Sequence, residues 1–261
     1  MNYQTLLTEL NDGVLEVTLN RPDKYNALTH EVSREMMALC FKAATDADVR
    51  SILLTGAGKG FCAGQDLSEV SDRGESYSLR VHLNNSYNPM VSAMRRLEKP
   101  IIVAVNGPCA GAGFGLALGG DIRYASEKAV FLTAFIGIGL APDSGVSYWL
   151  PRLIGPARAA EMLFTNERVS AARAAEIGLI NRAIPHDELM GESRKLAQKL
   201  AAGPPIGLGL TKRALNHSLG VTLDDHIDYE GQLQDIAGHS ADYKEGVAAF
   251  KEKRQPNFKG K

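Results

Sequence analysis

The chain has 261 residues, of which 44% are hydrophobic and 23% charged, and its formal net charge is −1. That length can bury a large core, and both charge signs are spread along it, which argues against nucleic-acid binding and against a polybasic membrane patch. The three cysteines form no CxxC motif and fit a reduced, cytoplasmic setting, and no apolar run approaches the roughly 20 residues that span a bilayer.

The opening "MNYQTLLTELNDG" lacks the basic start and apolar run of a signal peptide. "YQTLLTEL" and "VLEVTLN" alternate apolar and polar residues around Asp12-Gly13, which predicts a β-hairpin. "RPDKYNAL" reads as a loop. Beyond it Val32, Met36, Leu39, Cys40 and Ala43 recur at helical spacing, with Thr29 as N-cap. "SILLTG" (51–56) is a short apolar strand, a helical segment follows near 78–98, and "IIVAVNG" (101–107) is a second apolar strand. "DIRYAS" and "AVFLTA" predict two more strands, "PARAAEMLF" and "SAARAAEIG" two helices, and "LINRAIP" a last short strand. From about Asp187 the chain is nearly all helix. A change in composition near Gly203-Pro204 separates a strand-bearing core, 1–203, from a helical C-terminal region, 204–261. Strands alternating with helices make this an α/β chain of stacked ββα or βαβ units.

Two glycine-rich turns each follow a strand: "GAGKGFCAGQDL" (56–67) and "NGPCAGAGFGLALGGD" (106–121). Neither is a phosphate loop, because Lys59 is followed by Gly60 where Ser or Thr is required, and neither completes GxGxxG. Two readings stay open for each turn. One is tight strand-to-helix packing. The other is a backbone N–H aimed at developing negative charge, and two such turns together would supply two donors.

"GLAPDSGVSYWLPRLIG" (139–155) carries one acid, Asp143, among Gly, Ala, Pro and apolar residues. Leu140, Ala141, Pro142 and Val146 would desolvate its carboxyl and raise its pKa, as suits a general base. "PDSG" is equally a turn in which Asp143 N-caps the following helix, and then its pKa would fall. The six histidines are scattered, with most expected at the surface. No HExxH or Cys/His cluster predicts a metal site, and no GxSxG predicts a serine hydrolase. Cys62 and Cys109 lie in the two turns and read as packing residues.

"LNRPDKYNAL", "GFCAGQDL", "VNGPCAGAGFGLALGGDIRYAS", "GLAPDSGVSYWLPRLIG", "AAEIGLINRAIP" and "SADYKEGVAAFKEKRQPNF" together resemble the enoyl-CoA hydratase/isomerase (crotonase) superfamily. Within it they resemble the phenylacetate-degradation isomerases, which act on ring-epoxidised phenylacetyl-CoA and on 3-enoyl-CoA thioesters. The resemblance implies a crotonase-like ββα superhelix whose helical C-terminal region mediates homotrimers, often paired into hexamers. It implies an acyl-CoA substrate, with coenzyme A entering as part of the thioester and no separate cofactor. The thioester oxygen would be held by the backbone amides of Gln65 and Ala112. Lys24, Ala63, Gly64, Asp66, Leu67, Gly111 and Phe135 would contact substrate or CoA. Arg21 matches a nucleotide-end contact too, although it and Lys24 read equally as solvated loop charges. Phe258 and Lys259 would close over a nucleotide, possibly that of a neighbouring subunit.

By the same resemblance, the two glutamates of the family's hydratases fall at Gly115 and Phe135, so efficient hydration is not expected. Asp143, eight residues after Phe135, matches the working aspartate of the isomerases. In 4-chlorobenzoyl-CoA dehalogenases, which the segment also resembles, that acid is a nucleophile assisted by a histidine. The histidine's place falls near Asn88, and His82 is expected on the wrong face of its helix. Glu69 and Asp72 are further acids with reach to the site.

Overall fold

The computed structural model describes residues 3–69 and 77–261, and Asp72 lies outside them. The predicted hairpin forms from β1 (Leu6–Asn11) and β2 (Val14–Leu19), paired antiparallel. Asp12 and Gly13 take φ of 49° and 79°, as a two-residue type I′ turn requires. Parallel pairing then adds β3 (Ser51–Gly56), β4 (Ile101–Val105), β6 (Ile122–Ser126) and β9 (Arg182–Ile184), in the sheet order β1-β2-β3-β4-β6-β9. A second, small sheet joins β5 (Cys109–Ala110), β7 (Val130–Leu132) and β8 (Val169–Ser170).

All residues of β3 and β4 are buried, because the sheet is covered on both faces. Ile52, Leu54, Val103 and Val105 join the larger apolar cluster, whereas Leu53, Ile102 and Ala104 pack with Leu189, Ala197 and Ala201 of α8 (Leu189–Ala201). The larger cluster also takes Val32, Met36, Leu39, Cys40 and Ala43 from α1 (His30–Thr45), the residues whose spacing predicted the helix. Thr29 caps α1 by accepting from the Val32 N–H.

The helix predicted over 78–98 is two helices, α2 (Leu79–Asn85) and α3 (Tyr87–Arg96), broken at Ser86 (φ −135°, ψ −87°). Pro89 explains the break. It has no N–H to donate, and in a continuous helix its ring would meet the carbonyl of residue 85. Downstream lie α4 (Gly111–Gly119), α5 (Val146–Ile154), α6 (Pro156–Thr165) and α7 (Ala171–Glu176). The tail folds as α9 (Pro205–His217), α10 (Leu223–Gly238) and α11 (Ala241–Glu252).

Buried charge ties α9 to the sheet. The Lys212 Nζ lies 2.8 Å from Asp121 Oδ2 and donates to the carbonyls of Met94 and Lys99, while Arg95 holds Asp121 Oδ1 at 2.9 Å. Among the described residues, no helix is long and apolar enough to cross a membrane.

Candidate active site

The site lies where the parallel strands end, the usual ligand edge of such sheets. The loop after β3 is braced from two sides. Asn26 Nδ2 donates to the carbonyls of Ala57 and Gly60, and Asn106 Nδ2 donates to those of Gly58 and Gly60. The two glycine-rich turns then run side by side: Cys62 N donates to Pro108 O, and Ala110 N to Cys62 O.

This zipper sets two backbone N–H groups. Gly64 O accepts from Leu28 N at 2.7 Å and Asp66 N donates to Leu28 O at 2.9 Å. A trans peptide points its N–H opposite its C=O, so the Gln65 N–H is turned away from Leu28. Ala112 is in the first turn of α4, where an N–H has no intrahelical partner. Among the described residues neither N–H has a hydrogen-bond acceptor. They are neighbours. Gly64 holds φ +96°, and a Cβ there would sit 3.6 Å from Ala112 N. Gly111 also abuts Gly64, and its own Cβ position is 3.9 Å from Ala134 Cβ, which brings buried Phe135 alongside.

Asp143 comes from the turn before α5. Ser144 and Gly145 take φ of 52° and 79°, and Val146 N donates to Asp143 O at 2.9 Å. The N-cap of α5 is Gly145, with no side-chain cap, so the capping alternative for Asp143 is not what forms. Instead Ser144 Oγ donates to Asp143 Oδ1 at 2.7 Å. Burial pushes the carboxyl above the ordinary aspartate range, and the Ser144 hydroxyl pulls it part of the way back.

Gly115 lets the Asp143 turn pack against α4. A Cβ on Gly115 would lie 2.4 Å from Ser144 Cβ and 2.8 Å from Ser144 O. Ala112 and Gly115 are one turn apart on α4, so the helix that carries the free N–H also packs against the Asp143 turn. The space a side chain at position 115 would need is filled by Ser144. Gly115→Ala is therefore expected to displace the Asp143 turn and to destabilise the protein by about 1–3 kcal/mol, the usual cost of overpacking. Turnover at saturating substrate measures the first effect, and urea unfolding the second.

Tyr87 closes the back of the site. It is fully buried, its hydroxyl donates to Leu28 O at 3.3 Å, and burial first, then the nearby carboxylates of Glu69 and Asp143, raises its pKa. Glu69 Oε2 accepts from the His30 N–H at 3.2 Å, so this acid belongs to the site's surroundings.

Other expectations meet mixed outcomes. Lys24 stands exposed in the 3-10 turn Pro22–Lys24, on the loop whose Tyr25 O accepts from Ala63 N. Ala63 and Leu67 are exposed on the same rim. Arg21 is no solvated loop charge: its guanidinium donates to Asp66 Oδ2 at 2.7 Å and Ala27 O at 2.6 Å. The Asp66 carboxylate is held by the Ser68 hydroxyl and by Arg21, which lower its pKa to about 2, so its side chain braces the loop. Cys62 and Cys109 are wholly buried, and burial lifts the Cys62 thiol to about 12, as inert packing residues require. Phe258 O accepts from Arg50, just before β3, and Lys259 N donates to Asp242. In its own chain this tail thus docks at the opposite end of β3 from the site loops.

The expectation for His82 is corrected. It is 3% exposed rather than on the surface, and its Nε2 lies 3.2 Å from Gln65 Nε2. The break at Ser86 re-aims α2 relative to α3, and a continuous helix hid that. No spacing in the chain links residues 30, 65 and 82.

Comparison with known proteins fits this geometry. The enoyl-CoA hydratase/isomerase family profile matches residues 9–261. A 1,2-epoxyphenylacetyl-CoA isomerase of Escherichia coli is 43% identical over 258 residues, covering 98% of each chain. A short-chain-enoyl-CoA hydratase of Clostridium acetobutylicum is 33% identical, covering 98% of this chain and 97% of its own. The crystal structure of an enoyl-CoA hydratase from Bacillus anthracis superposes with a TM-score of 0.95 at 33% identity, over 99% of this chain and 100% of that one. The fold is therefore the crotonase fold, and the chain belongs to the enoyl-CoA hydratase/isomerase family.

Proposed function

We propose that the chain is an acyl-CoA isomerase that converts 3-enoyl-CoA to 2-enoyl-CoA, or rearranges a ring-epoxidised phenylacetyl-CoA, by proton transfer through Asp143. The observation that carries this reading is the pairing of Asp143 with Gly115: one half-buried acid stands beside the amide-bearing helix, and its turn occupies the space a second acid would need. Phe135 at the other glutamate position leaves an apolar wall. The 43% identical relative named as an isomerase supports it.

In this mechanism the Asp143 carboxylate takes a proton from C2. The electron pair moves onto the thioester oxygen, which accepts hydrogen bonds from Gln65 N–H and Ala112 N–H. As the oxygen returns its charge, the C2–C3 double bond forms, the old double bond's electrons take a proton at C4, and Asp143 gives that proton back. Lys24, Ala63, Gly64, Leu67 and Gly111 line the approach for the CoA portion, with Asp66 bracing it. Coenzyme A enters with the substrate, and the chemistry calls for no other cofactor. Apolar residues exposed on α9–α11, Leu223, Ile227 and Phe250 among them, support a trimer or a hexamer.

The test is a panel of 3-enoyl, 2-enoyl and aromatic acyl-CoAs. Conjugated thioester absorbance should rise with 3-enoyl-CoA. No rise above a no-enzyme blank at several chain lengths, with water addition to crotonyl-CoA or chloride release from 4-chlorobenzoyl-CoA instead, would overturn the proposal.

The active form is the carboxylate, so kcat/KM should fall as pH drops through the raised pKa of Asp143. Ser144→Ala removes a donor that favours the charged form. The pKa then rises further, and the acid limb should move to higher pH. A pH–rate profile of both proteins checks the direction.

A further inference from the structure

The side chain of Gln65 ends on a histidine pair, of which His82 is buried. Its Nε2 lies 3.2 Å from His82 Nε2, and His82 Nδ1 lies 3.0 Å from His30 Nε2. His82 is held by several neighbours. Its ring meets His30 edge-on at 4.6 Å and Tyr87 edge-on at 5.0 Å, and its carbonyl accepts from Ser86 Oγ at 2.6 Å. His30 is the first residue of α1, and its N–H is held by Glu69. Three separate elements, α1, α2 and the loop after β3, therefore meet through one polar chain.

The chain is satisfied in either hydrogen-bond direction. Gln65 can donate its amide N–H to His82 Nε2 while His82 Nδ1–H donates to His30 Nε2. With the amide turned over, His30 donates to His82, which donates to Gln65 Oε1. Both leave the buried imidazole fully hydrogen-bonded, and the burial of a polar ring demands that.

We propose that His82 is a positioning residue for the Gln65 N–H, with His30 as its outer anchor. The Leu28 bonds to Gly64 O and from Asp66 N hold the backbone on both sides of Gln65. The Gln65 side chain leaves the same Cα as the N–H, so the bond to His82 adds a third hold on its orientation. The inference rests on reading the Gln65 N–H as a donor to the thioester oxygen. It adds that this donor is aimed from outside its own loop, by α1 and α2.

Two measurements on the full-length protein test it. The first is turnover of 3-enoyl-CoA. His82→Leu should lower kcat by about 10- to 100-fold, the scale of a donor misplaced by around 1 Å, while KM changes less than about threefold. His82→Gln, which retains an amide for Gln65, should recover much of the loss, and His30→Leu should fall between. The second needs no turnover: binding of acetoacetyl-CoA, whose enolate absorbs in the ultraviolet. Wild type should raise the enolate band on binding. His82→Leu should bind the thioester with that band reduced.

If wild type isomerises and the band and kcat are unchanged in a folded His82→Leu, the positioning role is wrong and the mechanism stands. If wild type shows neither isomerisation nor an enolate band, the amide reading itself fails and takes this inference with it. Should His82→Leu not fold, His82→Gln and His30→Leu decide alone: values at wild-type level for both refute the proposal, and the graded loss supports it.

Discussion

Asp143→Asn is expected to lower the isomerisation rate by about a thousandfold, within the range that a single general acid–base group contributes. The amide is the same size and still accepts from Ser144 Oγ, so the turn at 143–146 should persist. Stability supplies the control. Burial raises the Asp143 pKa in the folded state, so the carboxyl binds its proton more tightly folded than unfolded. Its contribution therefore favours folding below the unfolded pKa and is lost as pH rises through the folded pKa. At neutral pH the ionised acid costs stability, and Asn removes that cost. The melting temperature of the variant should equal or exceed that of wild type while activity collapses. An N-capping aspartate would do the reverse, losing stability with little effect on rate.

Gly64→Ala is the second large effect. At φ +96° a side chain is strained by about 1–3 kcal/mol, and the added Cβ would lie 3.0 Å from Ala110 O. The same Cβ stands 3.6 Å from Ala112 N, one of the two amides proposed to hold the thioester oxygen. Loss of one such donor costs about 10²- to 10³-fold in kcat in other enzymes, and crowding both should reach at least that. The interaction strengthens as negative charge develops on oxygen, so kcat should fall far more than affinity for a saturated acyl-CoA. Steady-state kinetics beside calorimetric binding of butyryl-CoA separates the two.

Much of this was legible before folding because it depends on local chemistry. "SILLTG" and "IIVAV" are short, apolar and followed by glycines, and they form the two fully buried strands whose ends carry the site loops. Asp143 was conspicuous as a lone acid, and the turn that presents it needed only Ser144 and Gly145 to adopt positive φ. What was hidden depends on contacts between distant segments. The two-residue strands β5 and β8 exist only because β7 lies between them, and no periodicity can mark two residues. Pro89 is tolerated in the first turn of a helix, so a break just before it could be mistaken for continuous periodicity. The ion pair of Arg21 with Asp66 spans 45 residues, and the chain from His30 through His82 to Gln65 joins three elements. Gly115 read as an absence of acid. Only the packed structure gives the reason, which is that Ser144 occupies the space.

The most direct measurement follows one hydrogen. A 3-enoyl-CoA carrying deuterium at C2 is converted in ordinary water in a single turnover, and the product is analysed by mass spectrometry and NMR. A single carboxyl that lifts and returns the same hydrogen delivers a measurable share of the deuterium to C4. Product with none at C4, formed at full rate and equally by Asp143→Asn, would contradict the account.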